Sequence, residues 1–341
     1  MNIFYKTVFL IFTTFTILGC GGASPKASSS DMPDWYLNQP MSNSLYYYGV
    51  GTASTKDGAR GAALAQIGGE ISTKVSHSLD MTVSEHNDDI TSDTKIATKT
   101  SIETMKFTGV TVNENAYING EFYSYVQVDR DELFISLKRE FDIEYSKLTS
   151  FYKSVKSRNI FSLIKNKEKI DALVVKLRVK LSILKTIKSD FNQKKYLDTL
   201  ANISSNARDA ALKAMVYVTT SNATPFKAVL KQYISSYGMT LVNLPKSVKN
   251  KKNLLKVNVR KTAKKKNVKT SDPRLQGASF ADVIITLTTK DYSGKIIANN
   301  RIKVVNISKD GYKAAIIKTQ KFEREIKRRG IVNILLDKTS K

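Results

Sequence analysis

The sequence predicts an α+β fold in three parts: a small antiparallel sheet with a packed helix, a helical hairpin or bundle, and a second α+β module. Two β-prone segments flank Asn119-Gly120, a dipeptide that favours a tight hairpin turn. Residues 121–224 contain neither glycine nor proline, and their apolar positions follow a helical period. Strand-like segments return after residue 214, separated by turn signals.

The amino terminus carries a short apolar run. Residues 8–18 follow Lys6 and end at Leu18-Gly19-Cys20. This run is shorter than the ~20 residues a helix needs to span a bilayer, so residues 1–19 are predicted to be a signal peptide. Its ending resembles a bacterial lipoprotein signal. That resemblance implies a diacylglyceryl thioether on Cys20, cleavage before it and acylation of the new amino terminus; an ordinary secretory signal with a stray cysteine is the alternative.

The residues after Cys20 bear on localisation. Gly21-Gly22 follow with no adjacent Asp. Under the lipoprotein resemblance this favours the outer membrane, with the protein lipid-anchored and facing the periplasm, and exposure at the cell surface left open. Residues 20–32 are small and polar and are predicted to form a disordered tether. Fully extended, the tether reaches about 40 Å, which keeps the first folded domain near the membrane.

The first folded domain is predicted over residues 33–130. Residues 45–51 form a strand pattern that stops at glycine, and residues 107–117 and 121–128 are two further strands. Residues 55–72 form a helix whose small side chains, including Ala59 and Ala63, share one stripe. Residues 73–93 are ambiguous.

Two further domains are predicted behind it. Residues 131–213 form two or three amphipathic helices, with breaks near Ser157-Arg158-Asn159 and Ser189-Asp190. Residues 214–341 form a basic α+β domain. Its predicted strands cover residues 215–220, 239–244, 254–259, 283–289 and 296–307. One helix is predicted over 225–237, beginning at Pro225, and a terminal helix over 311–328.

Several short motifs in the first domain carry a family resemblance. They include Pro33-Asp34-Trp35, Tyr48-Gly49-Val50-Gly51, the run from Asn119 to Tyr123, and Val128-Asp129-Arg130. In their order and spacing behind a lipoprotein signal they resemble the Lpp-twenty family of bacterial outer-membrane lipoproteins, which includes a flagellar assembly lipoprotein. The resemblance covers about residues 33–140. It implies a compact α+β domain used in envelope or motility assemblies without known catalysis.

Charge is distributed unevenly along the chain. Residues 20–130 carry 8 Lys and Arg against 13 Asp and Glu, whereas residues 131–341 carry 46 against 17. This asymmetry suggests separate modules and permits head-to-tail self-association or attraction to an anionic surface. Solvated faces of a lysine-rich protein are the alternative.

The strongest local anomaly is the segment 246–269, with eleven basic residues and no acid. We predict that it docks an anionic partner: anionic lipid, lipopolysaccharide or an acidic protein. A mobile, self-repelling loop interrupted by one strand is the alternative. Nucleic acid is disfavoured because of the predicted export and because no aromatic residue between 246 and 279 could stack on bases. The predicted docking residues are Lys251, Lys252, Arg260, Lys264, Lys265 and Lys266.

Catalytic and metal-binding patterns are weak. Gly49-Val50-Gly51 lacks the further residues of a nucleotide-binding fingerprint. His77 and His86, the two histidines, form no i, i+4 ligand pair, and no Gly-x-Ser-x-Gly elbow is present. We therefore predict no enzyme, no metal site and no cofactor. Trp35 is a candidate interface anchor, with packing over the core as the alternative.

These observations predict a non-catalytic, lipid-anchored scaffold or assembly lipoprotein of the cell envelope, for which flagellar and ring-shaped assemblies are the candidates. Its expected partners are the membrane through Cys20 and envelope proteins or further copies of itself. The alternative is a lipoprotein that regulates a peptidoglycan-synthesising enzyme or takes part in secretion.

Overall fold

The computed structural model describes residues 32–86, 92–243, 251–268 and 271–337. The predicted signal peptide, the tether and Cys20 lie outside these residues. One compact unit comprises the described residues up to Ser42 together with 48–66 and 111–127, and a second comprises 43–47, 67–110 and residues from 128 onward. The predicted α+β class is confirmed, while the predicted domain boundaries stay predictions.

Helices and strands occur in both halves of the chain. The helices are α1 Asp34–Leu37, α2 Lys56–His86, α3 Ser92–Glu103, α4 Arg130–Arg158, α5 Ile160–Ile187, α6 Lys194–Lys213, α7 Thr224–Ser236, α8 Tyr312–Ala315, α9 Gln320–Arg329 and α10 Ile331–Leu336. The strands are β1 Tyr46–Ala53, β2 Val110–Ile118, β3 Glu121–Asp129, β4 Met215–Thr220, β5 Thr240–Leu241, β6 Leu254–Lys266, β7 Ser279–Lys290 and β8 Ile296–Ser308. Within the part of the chain that the structure describes, every helix is too short or too polar to cross a membrane.

The first sheet has the strand order β1-β3-β2. The β2–β3 hairpin turns at Asn119 and Gly120, whose φ angles are +52° and +88°. Positive φ at both central residues is the geometry that suits the twist of a hairpin, so the predicted turn is confirmed.

Helix α2 approaches β1 closely. Ala59 and Ala63 are fully buried, as the predicted stripe of small residues requires. A Cβ on Gly51 would lie 2.3 Å from the Ala63 amide nitrogen and 2.4 Å from the Ala59 carbonyl oxygen. Backbone contact with the helix therefore explains this glycine, and no phosphate loop is needed to account for it. The helix is longer than predicted and runs on to His86.

We expect Gly51→Ala to lower the free energy of unfolding by at least about 2 kcal/mol, because the added methyl group meets backbone atoms that cannot turn away. Gly61→Ala is the matched control: a Cβ at this α2 glycine would point into open space, so the substitution should stabilise the helix by about 0.5–1 kcal/mol. Urea unfolding of the two variants measures both effects. Equal stabilities would contradict the close approach.

Helices α4, α5 and α6 confirm the predicted helical segment and its breaks. Asn159 ends α4 and caps α5 by accepting a hydrogen bond from the Ser162 amide at 2.9 Å. Glu144 of α4 pairs with Lys176 and Lys180 of α5 at 3.1 and 3.0 Å. Burial alone would raise the pKa of Glu144, but the hydrogen bonds and charges of the two lysines outweigh burial and lower it.

Arg130, the first residue of α4, joins three segments. Its guanidinium donates to the carbonyls of Thr186 and Ile187 at the end of α5, at 3.1 and 2.8 Å, and to the carbonyl of Asn43 at 2.6 Å. It also lies 4.4 Å from the centre of the Tyr47 ring. Burial raises the pKa of the Tyr47 phenol, with Arg130 opposing the shift, so the phenol stays neutral at physiological pH. The cation thus satisfies orphan carbonyls at a helix end where positive charge is favoured.

Arg130→Ala should cost about 3 kcal/mol of unfolding free energy, because charged hydrogen bonds to half-buried carbonyls and a cation–π contact are lost together. Arg130→Lys should recover only part of this, since one ammonium cannot reproduce the planar fork of donors. Arg139→Ala, an exposed arginine on the same helix, is the control and should stay within about 0.5 kcal/mol. Chemical denaturation measures the free energy of unfolding of all three variants. Equal values for Arg130→Ala and Arg139→Ala would refute the conclusion that Arg130 holds the three segments together.

The second sheet has the strand order β5-β4-β6-β7-β8. Strands β5 and β6 are parallel to β4, and β6, β7 and β8 are antiparallel to one another. Helices α7, α8, α9 and α10 contact β4, β7 and β8. Most of the buried apolar side chains of the sheet belong to one core cluster that also includes residues of α4, α5 and α6. The sheet members of that core include Val216, Val218, Leu255, Val257, Val259, Val283, Ile285, Leu287, Ile302 and Val304.

Three predictions in this half need correction. The strand predicted over 239–244 is only Thr240–Leu241 within the residues described. The helix predicted over residues 311–328 is two helices, α8 and α9, and a further helix, α10, follows Gly330, whose φ is +77°. The predicted strand 254–259 extends to Lys266 because β7 pairs with it as far as Phe280, so the loop of the alternative is wrong for residues 260–266.

Two lysines donate hydrogen bonds to backbone carbonyls of the edge strand β8. The Lys318 ammonium donates to the Ile307 carbonyl at 2.7 Å, and the Lys321 ammonium donates to the Val305 carbonyl. The side-chain amide of Asn306 in turn donates to the Lys318 carbonyl at 2.8 Å. Edge carbonyls that could accept hydrogen bonds from another strand are therefore occupied at this end of β8.

Candidate functional site

Successive side chains of strand β6 lie on opposite sides of the sheet, because a strand has a period of two residues. Leu255, Val257 and Val259 are buried on the helix-covered side. The alternate positions, Arg260 and Lys264 among them, are exposed. The strand therefore turns one polar, basic side away from the core.

The register of the sheet extends this side across the neighbouring strands. Arg260 of β6 pairs with Thr286 of β7, and Thr286 pairs with Arg301 of β8. Strand spacing places the backbones of the two arginines about 10 Å apart. The seven basic residues at outward positions, which we call the basic face, are Lys256, Arg260, Lys264, Lys266, Lys290, Arg301 and Lys303.

One acid interrupts the basic face. Asp282 is the single carboxylate at the outward positions that the structure describes on β4, β6, β7 and β8. It pairs in register with Lys264, and its Oδ1 lies 3.8 Å from the Lys266 ammonium. This contact is long for a charge-assisted hydrogen bond. The face therefore keeps a large excess of positive charge.

The polar residues between the cations are small. Thr262, Thr286, Thr288, Asn258 and Asn299 occupy outward positions. Their hydroxyl and amide groups can donate to phosphate or carboxylate oxygens. Because the strands are paired in register, the cations are held on a fixed backbone rather than on a loop.

The predicted docking residues do not form one patch. Arg260, Lys264 and Lys266 belong to the basic face. Lys265 occupies a position on the other side of the sheet, where it pairs in register with buried Ala281. Lys251 and Lys252 lie in a 3₁₀ turn that precedes β6, and the strand rise places them about 30 Å or more from Lys264. The flanking lysines 246, 249 and 269 lie outside the described residues.

Four residues of the basic face were not among the predicted docking residues: Lys256, which lies in the predicted segment 246–269, and Lys290, Arg301 and Lys303, which lie outside it. Arg301 and Lys303 alternate with buried residues in β8, where Asn300 and Ile302 point inward. That alternation was a usable signal, but basic residues that are distant along the chain come together only through the pairing of strands.

Trp35 packs within the compact unit that contains residues 48–66 and 111–127. It is half-buried, and its ring stacks on Tyr125 with centroids 6.0 Å apart and an interplanar angle of 25°. The neighbouring Tyr36 contacts Tyr123 edge-on at 4.9 Å. The structure thus shows the packing alternative for Trp35, and its role as an interface anchor stays a prediction.

Of the two histidines, His77 is exposed on α2, and the side chain of His86 lies outside the described residues. In the described ranges, no group of three or more His, Cys, Asp and Glu side chains is placed to hold a metal ion.

Comparison with known proteins bears on the first third of the chain. Residues 33–129 match the model of the family described as LPP20 lipoprotein. The resemblance inferred from the short motifs is confirmed for these residues, which form a lipoprotein-family module. No curated protein matches the sequence significantly.

Two solved structures are similar in part. The secreted protein HP1454 of Helicobacter pylori covers 84% of this chain and 96% of its own, at 16% identity and a TM-score of 0.40. A minor lipoprotein of Acinetobacter baumannii covers 36% of this chain and 97% of its own, at 13% identity and a TM-score of 0.28.

Proposed function

We propose that this chain, whose residues 33–129 match the LPP20 lipoprotein family, is a non-catalytic scaffold or assembly lipoprotein of the cell envelope. Acyl chains on Cys20 anchor it to the outer membrane. The basic face of the second sheet docks a phosphate-bearing partner. The observation that carries the proposal is the set of seven cations and one acid on the outward side of a sheet whose other side is buried.

The composition of the basic face argues for docking rather than solvation. A surface selected only for solubility intersperses both signs of charge. A one-sign field attracts anionic partners and speeds their encounter, at a cost in self-repulsion. The repulsion among Arg260, Lys264 and Arg301 is relieved when a phosphate surface neutralises them.

A lipid or lipopolysaccharide surface suits this geometry. The cations are spread along strands of twelve and thirteen residues rather than gathered in a cleft. Basic residues near an anionic surface contribute about 1 kcal/mol each. An extended array can engage many phosphates together, whereas a single small anion would meet only a few of the cations.

Vesicle binding tests the docking surface directly. We expect full-length Cys20→Ser protein, which lacks the anchor, to bind vesicles containing anionic lipid or lipopolysaccharide and to release them at high salt. The triple variant Arg260→Glu, Lys264→Glu, Arg301→Glu should lose about 100-fold in affinity, given about 1 kcal/mol for each basic residue. Sedimentation with the vesicles measures the bound fraction.

The matched control reverses three exposed lysines on helices α4 and α6: Lys153→Glu, Lys195→Glu, Lys213→Glu. Its net charge equals that of the first triple variant, so it should keep most of the binding. Equal loss in both would show that net charge alone governs binding and would contradict a defined docking surface.

Cross-linking in cells separates this function from its alternative. A photo-reactive residue at Thr286, in the middle of the basic face, should form adducts with lipopolysaccharide or lipid, and these should diminish in the Cys20→Ser protein. A dominant adduct with a peptidoglycan synthase or a secretion component would favour the regulator. A monomeric protein without specific adducts would refute the scaffold.

A further inference from the structure

The first residues that the structure describes expose unusually many large apolar side chains. Met32, Leu37, Met41 and Leu45 are 40, 48, 87 and 62% exposed. Asp34 is the only charged residue between Met32 and Lys56, in a chain in which 25% of residues are charged. We call residues 32–45 the leading segment.

The exposure of these side chains is not caused by a loose backbone. Trp35 and Tyr36 pack on Tyr125 and Tyr123. The side-chain amide of Gln66 donates to the Gln39 side-chain oxygen at 2.8 Å.

Further hydrogen bonds continue this attachment. The Tyr48 amide donates to the Ser42 hydroxyl at 3.2 Å, and the Asn43 side chain accepts from the amides of Leu45 and Tyr46, both at 2.8 Å. Aromatic and polar side chains thus fix the leading segment, while its aliphatic side chains face outward.

We infer that the leading segment rests in the interfacial region of the lipid leaflet that carries the acyl chains of Cys20. This inference rests on the proposed lipid anchor. Met32, Leu37 and Met41 enter the boundary between headgroups and acyl chains, and Trp35 lies at the same level. The contact is apolar and needs no anionic lipid, unlike the docking proposed for the basic face.

The position of the segment in the chain identifies lipid as its occupant. Met32 follows Cys20 by twelve residues, so even a fully extended chain holds it within about 40 Å of the anchored sulfur. At that local concentration a weak apolar contact with the leaflet forms readily. Exposed apolar side chains beside Trp and Tyr, with Asp34 as the single charged residue of the segment, are a composition that the membrane interface favours.

The fluorescence of Trp35 tests this inference, because Trp35 is the only tryptophan of the chain. Full-length lipidated protein is reconstituted into vesicles of zwitterionic lipid, with or without bromine atoms on the upper part of the acyl chains. We expect the brominated lipid to quench Trp35. The triple variant Met32→Ser, Leu37→Ser, Met41→Ser should lose most of this quenching while it still floats with the vesicles.

Three comparably exposed aliphatic residues elsewhere supply the control. Ile135→Ser, Ile143→Ser, Leu212→Ser changes side chains that are 57, 51 and 63% exposed on α4 and α6, and it should leave the quenching unchanged. Protein that floats but is not quenched would overturn this inference alone. Protein that fails to float would refute the anchor and this inference with it, and quenching that survives the leading-segment variant would also overturn it.

Discussion

The guanidinium of Arg130 is the interaction on which the second compact unit depends. It sits at the first turn of α4 and satisfies the last carbonyls of α5 and the carbonyl of Asn43, with the Tyr47 ring against it. A helix end buried without such a partner would leave unsatisfied carbonyls in a low-dielectric setting. One side chain therefore joins the segment before β1, the start of α4 and the end of α5. Asp129, just before it, caps α4 by accepting from the Glu132 amide at 2.9 Å.

The second sheet shows how burial on one side prepares a surface on the other. The apolar alternates of β6, β7 and β8 are buried in the core, which fixes the register and orientation of each strand. Along the middle of these strands the intervening positions, including Arg260 and Arg301, then face outward. The apolar side chains on the buried side thus hold the strands in place, and the cations on the other side share the resulting rigid backbone. The outward residues can therefore change without loss of the fold.

Local chemistry predicted several elements well. Asn119-Gly120 could serve as a hairpin turn because its backbone tolerates positive φ, and Asn159 could cap α5 because its short side chain reaches the Ser162 amide. The alanine stripe of α2 predicted a close helix–sheet contact. Each of these depends on residues near one another in the sequence.

Features that depend on distant residues were harder to predict. Lys264-Lys265-Lys266 has poor strand propensity, and it is extended because β7 pairs with it. The basic face combines β6 with β7 and β8, so no single window of sequence contains it. The long extension of α2 also escaped prediction, since residues 73–93 show no clear apolar period, and α3 was not predicted.

The lysines that donate to β8 bear on how copies of this protein could assemble. Lys318 and Lys321 occupy the carbonyls of Ile307 and Val305, and a docking strand would have to displace both ammonium groups. Charged groups along a sheet edge commonly prevent edge-to-edge aggregation of strands. Any ordered array that extends from this edge would then grow by contact between faces of the molecule, and not by a continuous ladder of backbone hydrogen bonds.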